Sequence, residues 1–429
     1  MPGQADLVVM GGGPAGSISA LLAARDGLCV LLVDPDRTTP RLEGMSPRLR
    51  QWLQGQGLLE GFPGLAGPFR RETAWSGLSQ AANGEYVVER AALDRWLRNA
   101  AQAAGAEFVR TTCRPDAEGV TLTNGDVIHT PRIIDARGRN AHRERRNRCP
   151  ATLAICGWAS AAGIQPGIRI AAMEQGWLWR IALPNGRVWA QFTSDAAQPG
   201  NLDERLRHAL TIAEPDGSGI VIEGSPLARE AAPLLPCLLH DLRILPVGDA
   251  LAAMDPLSGH GQFWAVSSAL AAAAVRRSLD ARPGEDSESL CRRYLHGRAM
   301  ETCLRNARTG RDFIRMETRF AESPFWAMRR NFPDDQPAHE KLDACVLARA
   351  PVVRNGLIEE MDILRTPRSP MGIGWFAGIP ASEAWQVFSR GGAAALHQKW
   401  GPAAARLKNV LLEEMEQDQA VQRSTVHIA

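Results

Sequence analysis

A chain of 429 residues, 45% hydrophobic and 22% charged, has enough apolar material for two or three cored domains and the balance of an ordinary globular protein. A net charge of +2 excludes a global basic footprint for nucleic acid, and no apolar run approaches the roughly 20 residues of a membrane span. The eight cysteines are scattered without a C-x-x-C pair, so neither a metal site nor a dithiol centre is expected.

Residues 6–9 form a short β-branched run, followed by Gly11-Gly12-Gly13-Pro14-Ala15-Gly16 and an alanine-rich helix to position 25. Residues 28–33 read as a second strand ending at Asp34, which makes β-α-β, the opening of a doubly wound sheet. G-x-G-x-x-G between a strand and a helix is a dinucleotide loop. Gly11 permits the tight turn, Gly13 lets the backbone approach a pyrophosphate, and Gly16 allows close helix–strand packing. Pro14 and Ala15 open the helix, whose N-terminus offers unpaired N–H groups and partial positive charge to phosphate. Asp34 is placed to accept from a ribose diol, which favours FAD or NAD over NADP.

Residues 89–104 read as an amphipathic helix, with Ala92, Leu93, Trp96, Leu97 and Ala100 at helical spacing. Arg90 at its start faces either the cofactor or solvent. Segments 106–110 and 119–122 look like strands, and Thr123-Asn124-Gly125-Asp126 is a hairpin turn. Residues 131–136 return as a buried strand running into Asp135-Ala136-Arg137-Gly138-Arg139, which fits a segment passing under the cofactor.

Between 151 and 227 the pattern changes to strand-like segments (167–173, 177–183, 188–193, 219–223) separated by turns such as Pro184-Asn185-Gly186. Trp177 and Trp179 alternate there, either as walls of a substrate tunnel or as ordinary sheet packing. Residues 241–248 form one more buried strand, ending in Gly248-Asp249. The loop Pro256-Leu257-Ser258-Gly259-His260-Gly261 then opens a long helix over 261–279. Asp249 could bond a ribityl chain or bridging phosphate, while Pro256, Gly259 and Gly261 bring small residues and bare backbone against a flat ligand. The helix behind them can stabilise charge on a reduced flavin ring. His260 is the acid–base candidate, or a loop histidine bonded to backbone. Beyond 282 the sequence is helical and arginine-rich, with Arg292, Arg293, Arg298, Arg305, Arg308, Arg311, Arg315 and Arg319 as docking charge or as a solvated face of acid–base pairs.

These readings assemble into an α/β protein. A discontinuous Rossmann-like FAD-binding domain (1–150 with 236–281) is expected beside an antiparallel β-sheet substrate domain (151–235) and a C-terminal helical region (282–429). FAD accounts for both glycine-bearing pieces, where NAD would account for one.

In chain order, GGGPAG with Asp34, R-x-x-L-D-x-x-L from Arg90 to Leu97, IIDARGR and VGDA…DPLSGHG resemble the single-domain FAD monooxygenases of the aromatic-hydroxylase type. Their relatives, the geranylgeranyl reductases and tryptophan halogenases, share these pieces, and the resemblance spans about the first 300 residues. Trp177-x-Trp179-x-Ile181 resembles the halogenase W-x-W-x-I-P signature, with Pro184 two residues late. Halogenases need a lysine near the substrate, yet the only lysines here are Lys341, Lys399 and Lys408, all outside the resembling part. Halogenation is therefore disfavoured. The resemblance implies hydroxylation of an electron-rich aromatic through a flavin C4a-hydroperoxide, with O2 as co-substrate and NAD(P)H or a separate reductase as electron donor. A reductase of the geranylgeranyl type is the alternative. A narrower likeness is to the flavin monooxygenases that mature quinohemoprotein amine dehydrogenase. It implies a polypeptide partner, the small subunit of that enzyme, with a tryptophan hydroxylated on the way to cysteine tryptophylquinone. The N-terminal apolar stretch reads as strand and glycine loop, not signal peptide, so a cytoplasmic location is expected.

Overall fold

Four buried apolar residues, Leu7–Met10, form the central strand of a parallel sheet. Its order is Ile244–Pro246, Ile133–Asp135, Leu7–Met10, Val30–Val33, Glu107–Val109. Strands covered on both faces read as continuous apolar runs, which is why LVVM and VLLV carry no alternation. Pro14–Arg25 packs on this sheet and against Arg90–Ala103. A small antiparallel sheet (Cys113–Pro115, Gly119–Leu122, Val127–His129) contributes Val120, Leu122 and Ile128 to a cluster with Val8, Met10, Leu31 and Val33. The computed structural model describes residues 3–37, 39–141, 149–237, 239 and 241–416.

A second sheet has eight strands, ordered Ser218–Glu230, Thr152–Ala162, Arg187–Asp195, Gly176–Ala182, Gly167–Met173, Leu65–Trp75, Leu78–Glu89, Leu42–Met45. Its pairings are antiparallel except Gly167–Met173 with Leu65–Trp75. Side chains alternate across it. One face sends Ile155, Leu178, Ala190 and Phe192 against Leu206, Ala209, Leu210 and Ala213 of the helix Leu202–Ala213. That helix starts at a reciprocal cap between Asn201 and Glu204. The opposite face carries Ala154, Cys156, Ile168, Ile181 and Trp189, with Trp158 and Trp179 packed on them.

The chain divides into two compact units, 1–273 with 298–336 and 274–297 with 337–429. These limits differ from those expected from the sequence. Residues 42–89 supply three strands of the large sheet, where a substrate sheet confined to 151–235 was expected. Residues 298–336 belong with the first unit, not with a separate C-terminal region. The second unit carries the expected C-terminal helices, Ala381–Trp400 and Ala403–Met415, but it also holds a hairpin. Val346–Arg354 and Leu357–Arg365 are joined by Asn355-Gly356, both at positive φ (51° and 79°) as a two-residue hairpin turn requires. Leu364, Phe376, Ala381, Ala384, Leu396, Leu407 and Leu411 form the core of this unit.

Candidate flavin site and adjoining cavity

The carboxyl end of Leu7–Met10 lies where the strand order reverses, between Val30–Val33 and Ile133–Asp135, the place where open α/β sheets take their ligands. Gly11 turns there at φ +109°, and a Cβ on it would stand 2.4 Å from the Ala136 carbonyl oxygen. A Cβ on Gly16 would strike the Gly11 carbonyl oxygen at 1.8 Å. Gly13 is different: the nearest atom to its would-be Cβ is Arg90 Nη2 at 3.7 Å, so its outer side is open. Pro14 is the first residue of the helix, Ala15 is buried behind it, and no side chain caps the helix N-terminus. Asp34, half-buried, accepts from the Gly12 N–H (2.7 Å) and from the Asp36 N–H (2.7 Å), so it braces the loop as well as facing it.

The second glycine-bearing piece meets the first. Gly248, at φ +58°, lies so close that its Cβ would stand 3.1 Å from that of Ala15. Trp264 donates to the Gly248 and Ala252 carbonyls (3.1 and 2.8 Å), tying the strand end to the Gly261–Ala281 helix. Asp249 pairs with Arg139 at 3.5 Å. Pro256–Ser258 is a single helical turn closed by Gly259 at φ +67°. Gly261 has no neighbour within 4 Å of a would-be Cβ. His260 Nδ1 meets the Ser258 carbonyl oxygen, and burial lowers the ring's pKa despite that bond, so the imidazole is neutral near pH 7. Asp135 is buried and held by Arg137 through two bonds, 2.9 and 2.7 Å, while its carbonyl accepts from the Val247 N–H. Its carboxylate braces the strand end.

Arg90 is half-buried and held by carboxylates. Its guanidinium donates to both oxygens of Glu43 (3.2 and 3.0 Å) and to Asp94 Oδ1 (2.7 Å). Glu43 also accepts from Gln262 Nε2 at 2.7 Å and pairs with Arg41. Burial opposes the charge on Glu43, but Arg90 and Arg41 outweigh it and hold the carboxyl well below the usual range. The network therefore joins the edge of the Gly13 loop to the start of the Gly261 helix. Gln262 Oε1 is buried there and has no partner among the described residues. An open Gly13, an open Gly261 and this orphaned oxygen fit a group lying along both pieces, as a flavin dinucleotide would. Sequence reading missed Glu43 and Gln262, because nothing local marks them.

Beside the Pro256 turn is a partly open cleft, with about 390 Å³ of empty space when the adjoining solvent is counted. Trp177 lines it, as do Cys149, Thr152, Thr193, Asp255, Pro256, Leu257, Phe325, Arg311 and Arg329. Trp179, two residues on, packs instead with the Ile181–Trp189 cluster, so the pair of tryptophans splits between cavity and core. Asp255 stood inside the quoted loop without a role. It accepts from the Leu257 N–H at 2.8 Å, and burial pushes its carboxyl up to about 6.

The arginine-rich helix Glu285–Met316 spends much of its charge locally. Arg308 and Arg311 bond Asp334, Arg311 also bonds Asp312, and Arg315 pairs with Asp335. Arg319 pairs with the fully buried Glu317. No group of three or more His, Cys, Asp or Glu that could hold a metal occurs among the described residues. Nor, among them, is any helix long and apolar enough to cross a membrane.

No protein-family model matches the chain. In sequence it is 28% identical over 325 residues to a menaquinone reductase of Mycobacterium tuberculosis, covering 65% of this chain and 78% of the relative. The flavin-dependent halogenase CmlS shares the fold, with a TM-score of 0.70 at 15% identity over 96% of this chain and 95% of that one. QhpG, a peptidyl tryptophan dihydroxylase essential for tryptophylquinone cofactor biogenesis, matches with a TM-score of 0.79 and 30% identity over 97% of this chain and 99% of its own. The resemblance seen in the first 300 residues thus extends through nearly all of the chain. On this full-length likeness, the chain belongs to the family of FAD-dependent monooxygenases that includes QhpG, within the superfamily of flavin hydroxylases and halogenases.

Proposed function

We propose that this enzyme hydroxylates a tryptophan side chain presented by a polypeptide, the small subunit of a quinohemoprotein amine dehydrogenase, during tryptophylquinone formation. The observation that carries the reading is the likeness to QhpG over 97% of the chain, which takes in both compact units. Bound reduced flavin would supply the activation of O2 and the delivery of oxygen to the ring, with electrons from NAD(P)H or a separate reductase.

The chain's own residues bind, orient and exclude water. Gly11, Gly13 and Gly16, with the helix opening at Pro14 and Ala15, would cradle the pyrophosphate. Asp34 would take the adenosine ribose with the lone pairs its loop bonds leave free. Arg90, held by Glu43 and Asp94, would keep a fixed positive charge beside the dinucleotide. Gly248 and Asp249 would meet the ribityl chain, and Pro256, Gly259 and Gly261 the ring system. Asp135 would act through the strand end that it braces. His260 stays neutral and holds the loop. Trp177 walls the substrate cavity, whereas Trp179 supports the sheet beneath it.

No lysine is among the residues lining that cavity, which speaks against halogenation. The menaquinone reductase likeness favours a second reading, reduction of an isoprenoid quinone. The polar lining of the cavity (Thr152, Thr193, Asp255, Arg311 and Arg329) suits a polar ring better than an isoprenoid chain. Incubating the candidate small subunit aerobically with the enzyme, FAD and NADH, followed by intact-mass analysis, decides the matter. Added oxygen on a tryptophan-bearing peptide supports the proposal. Turnover of a menaquinone analogue with no oxygen added to the polypeptide would replace it with the reductase reading.

A further inference from the structure

The cavity beside the Pro256 turn is lined by two cations, three aromatic rings, a carboxyl, a thiol and two hydroxyls, and their bonding states differ. Arg329 is saturated: it donates to the carbonyls of Phe325 and Ala151, to Thr152 Oγ1 and to Asp195 Oδ2. Arg311 is engaged by Asp312 and Asp334. Neither cation is offered to a ligand. Thr193 is 1% exposed, lies directly across the strand pair from Trp177, and its hydroxyl has no partner among the described residues. A buried hydroxyl left unpaired is unfavourable, so its retention on a cavity wall points to a polar atom of a ligand.

Asp255 has been given room at a cost. Gly310 sits inside the Glu285–Met316 helix, where glycine is poorly suited, and a Cβ there would stand 2.3 Å from Asp255 Oδ2. The Leu257 N–H goes to Oδ1, Oδ2 stands beside the bare backbone of Gly310, and Asp255 lines the cavity. Trp177, Phe325 and Phe332 are the aromatic walls. Together these groups suit a flat ring that donates one N–H and comes to bear a hydroxyl.

Resting on the proposed tryptophan hydroxylation, we infer that this cavity seats the indole ring, that Asp255 accepts its N–H, and that Thr193 bonds the hydroxyl installed by the first oxygenation. The carboxylate then fixes which ring edge is presented and makes the ring more electron-rich. The hydroxyl bond would hold a once-oxygenated ring in place for a further round. The charged and titratable groups facing Asp255 are Arg329, Arg311 and the Cys149 thiol, which burial pushes up to about 12 and so keeps neutral.

The test is calorimetric titration of the full-length, FAD-loaded oxidised enzyme with indole, 1-methylindole and 6-hydroxyindole. Wild type, Asp255→Asn and Thr193→Val are compared. Asparagine keeps an oxygen for the Leu257 N–H, and valine replaces a hydroxyl that bonds nothing, so both variants should keep flavin absorbance and fold. Wild type is expected to prefer indole over 1-methylindole by about tenfold or more, and Asp255→Asn to cut that ratio to about threefold or less. Thr193→Val should erase the preference for 6-hydroxyindole over indole while leaving the indole ratio unchanged. Equal binding of indole and 1-methylindole by wild type, no indole binding by the folded holoenzyme, or ratios indifferent to both substitutions would each overturn the inference. If the ratios hold and no oxygen enters the polypeptide, the ring site stands and the polypeptide substrate falls. If the polypeptide is oxygenated and the ratios are flat, the reverse is true.

Discussion

Gly310 and Asp255, 55 positions apart in the chain, are fitted to one another: any side chain at 310 would bring its Cβ to 2.3 Å from Asp255 Oδ2. Alanine in a helix interior normally gains about 1 kcal/mol over glycine. Here Gly310→Ala should instead leave thermal stability unchanged or lower, and weaken indole binding by displacing the carboxylate. A variant that is both more stable and unaltered in indole affinity would show that the glycine is not there for Asp255.

Asp255 also carries a pH signature. Its folded carboxyl is raised to about 6, above the ordinary value near 4, because burial favours the neutral form. The fold therefore binds a proton that the unfolded chain has released, and this contribution is present below about pH 4 and lost as pH rises through 6. Asp255→Asn should be about 2–3 kcal/mol more stable than wild type at pH 8, with no difference at pH 3. Denaturant titrations at the two pH values measure it. A gain of the same size at pH 3 would mean that the charge is not its source.

The glycines of the first loop should separate folding from cofactor binding. Gly13→Val points into open space near Arg90, so the apoprotein should fold with normal circular dichroism and purify colourless. Gly16→Val would drive a side chain into the Gly11 carbonyl, and should lower stability whether or not FAD is supplied. Full flavin occupancy in Gly13→Val would remove this loop from the cofactor site.

Glu43 is the joint of a half-buried network, so Glu43→Gln leaves Arg90 short of a counter-charge. The expected loss is about 3 kcal/mol at pH 7, read from urea denaturation of the apoprotein. Because the arginines hold the Glu43 carboxyl far below its usual range, that difference should persist down to pH 5. FAD affinity should fall in the same variant, since Gln262 and Arg90 lose their common anchor.

In the C-terminal unit, Gly356→Ala places a Cβ at φ +79° in a two-residue turn and should cost about 1 kcal/mol. Only the melting transition that reports this unit should move. Flavin content is expected to stay at the wild-type level.

Much of the flavin half was legible because its signals are local. Gly11-Gly12-Gly13-Pro14-Ala15-Gly16 is a recognisable pattern in which Gly16 answers to Gly11 within a single β-α turn, although Gly11 itself is fitted to the distant Ala136, and apolar runs such as LVVM announce a strand covered on both faces. The Asn355-Gly356 turn was equally local, but was passed over inside a stretch read as helical. Thr152–Ala162 was not legible: an Ala-, Gly- and Ser-containing run has little strand preference, and pairing with a neighbour on each side makes it one. Leu42–Met45, Leu65–Trp75 and Leu78–Glu89 pair mainly with one another, and join the large sheet only where Leu65–Trp75 meets Gly167–Met173.

The sequence by itself determined a β-α-β nucleotide-type opening and a resemblance carried by short motifs, while the family rests on the likeness over 97% of the chain. Tertiary structure decided which groups are left for a ligand. Asp135 and Arg311 are consumed by ion pairs, and Trp179 by the core, whereas Asp255, Thr193 and Gln262 keep unspent bonding capacity. That distinction depends on whether a partner stands within about 3 Å, which is local for Asp135 (Arg137) and partly local for Arg311 (Asp312 and Asp334), but for Trp179 is set by packing against strands far along the chain.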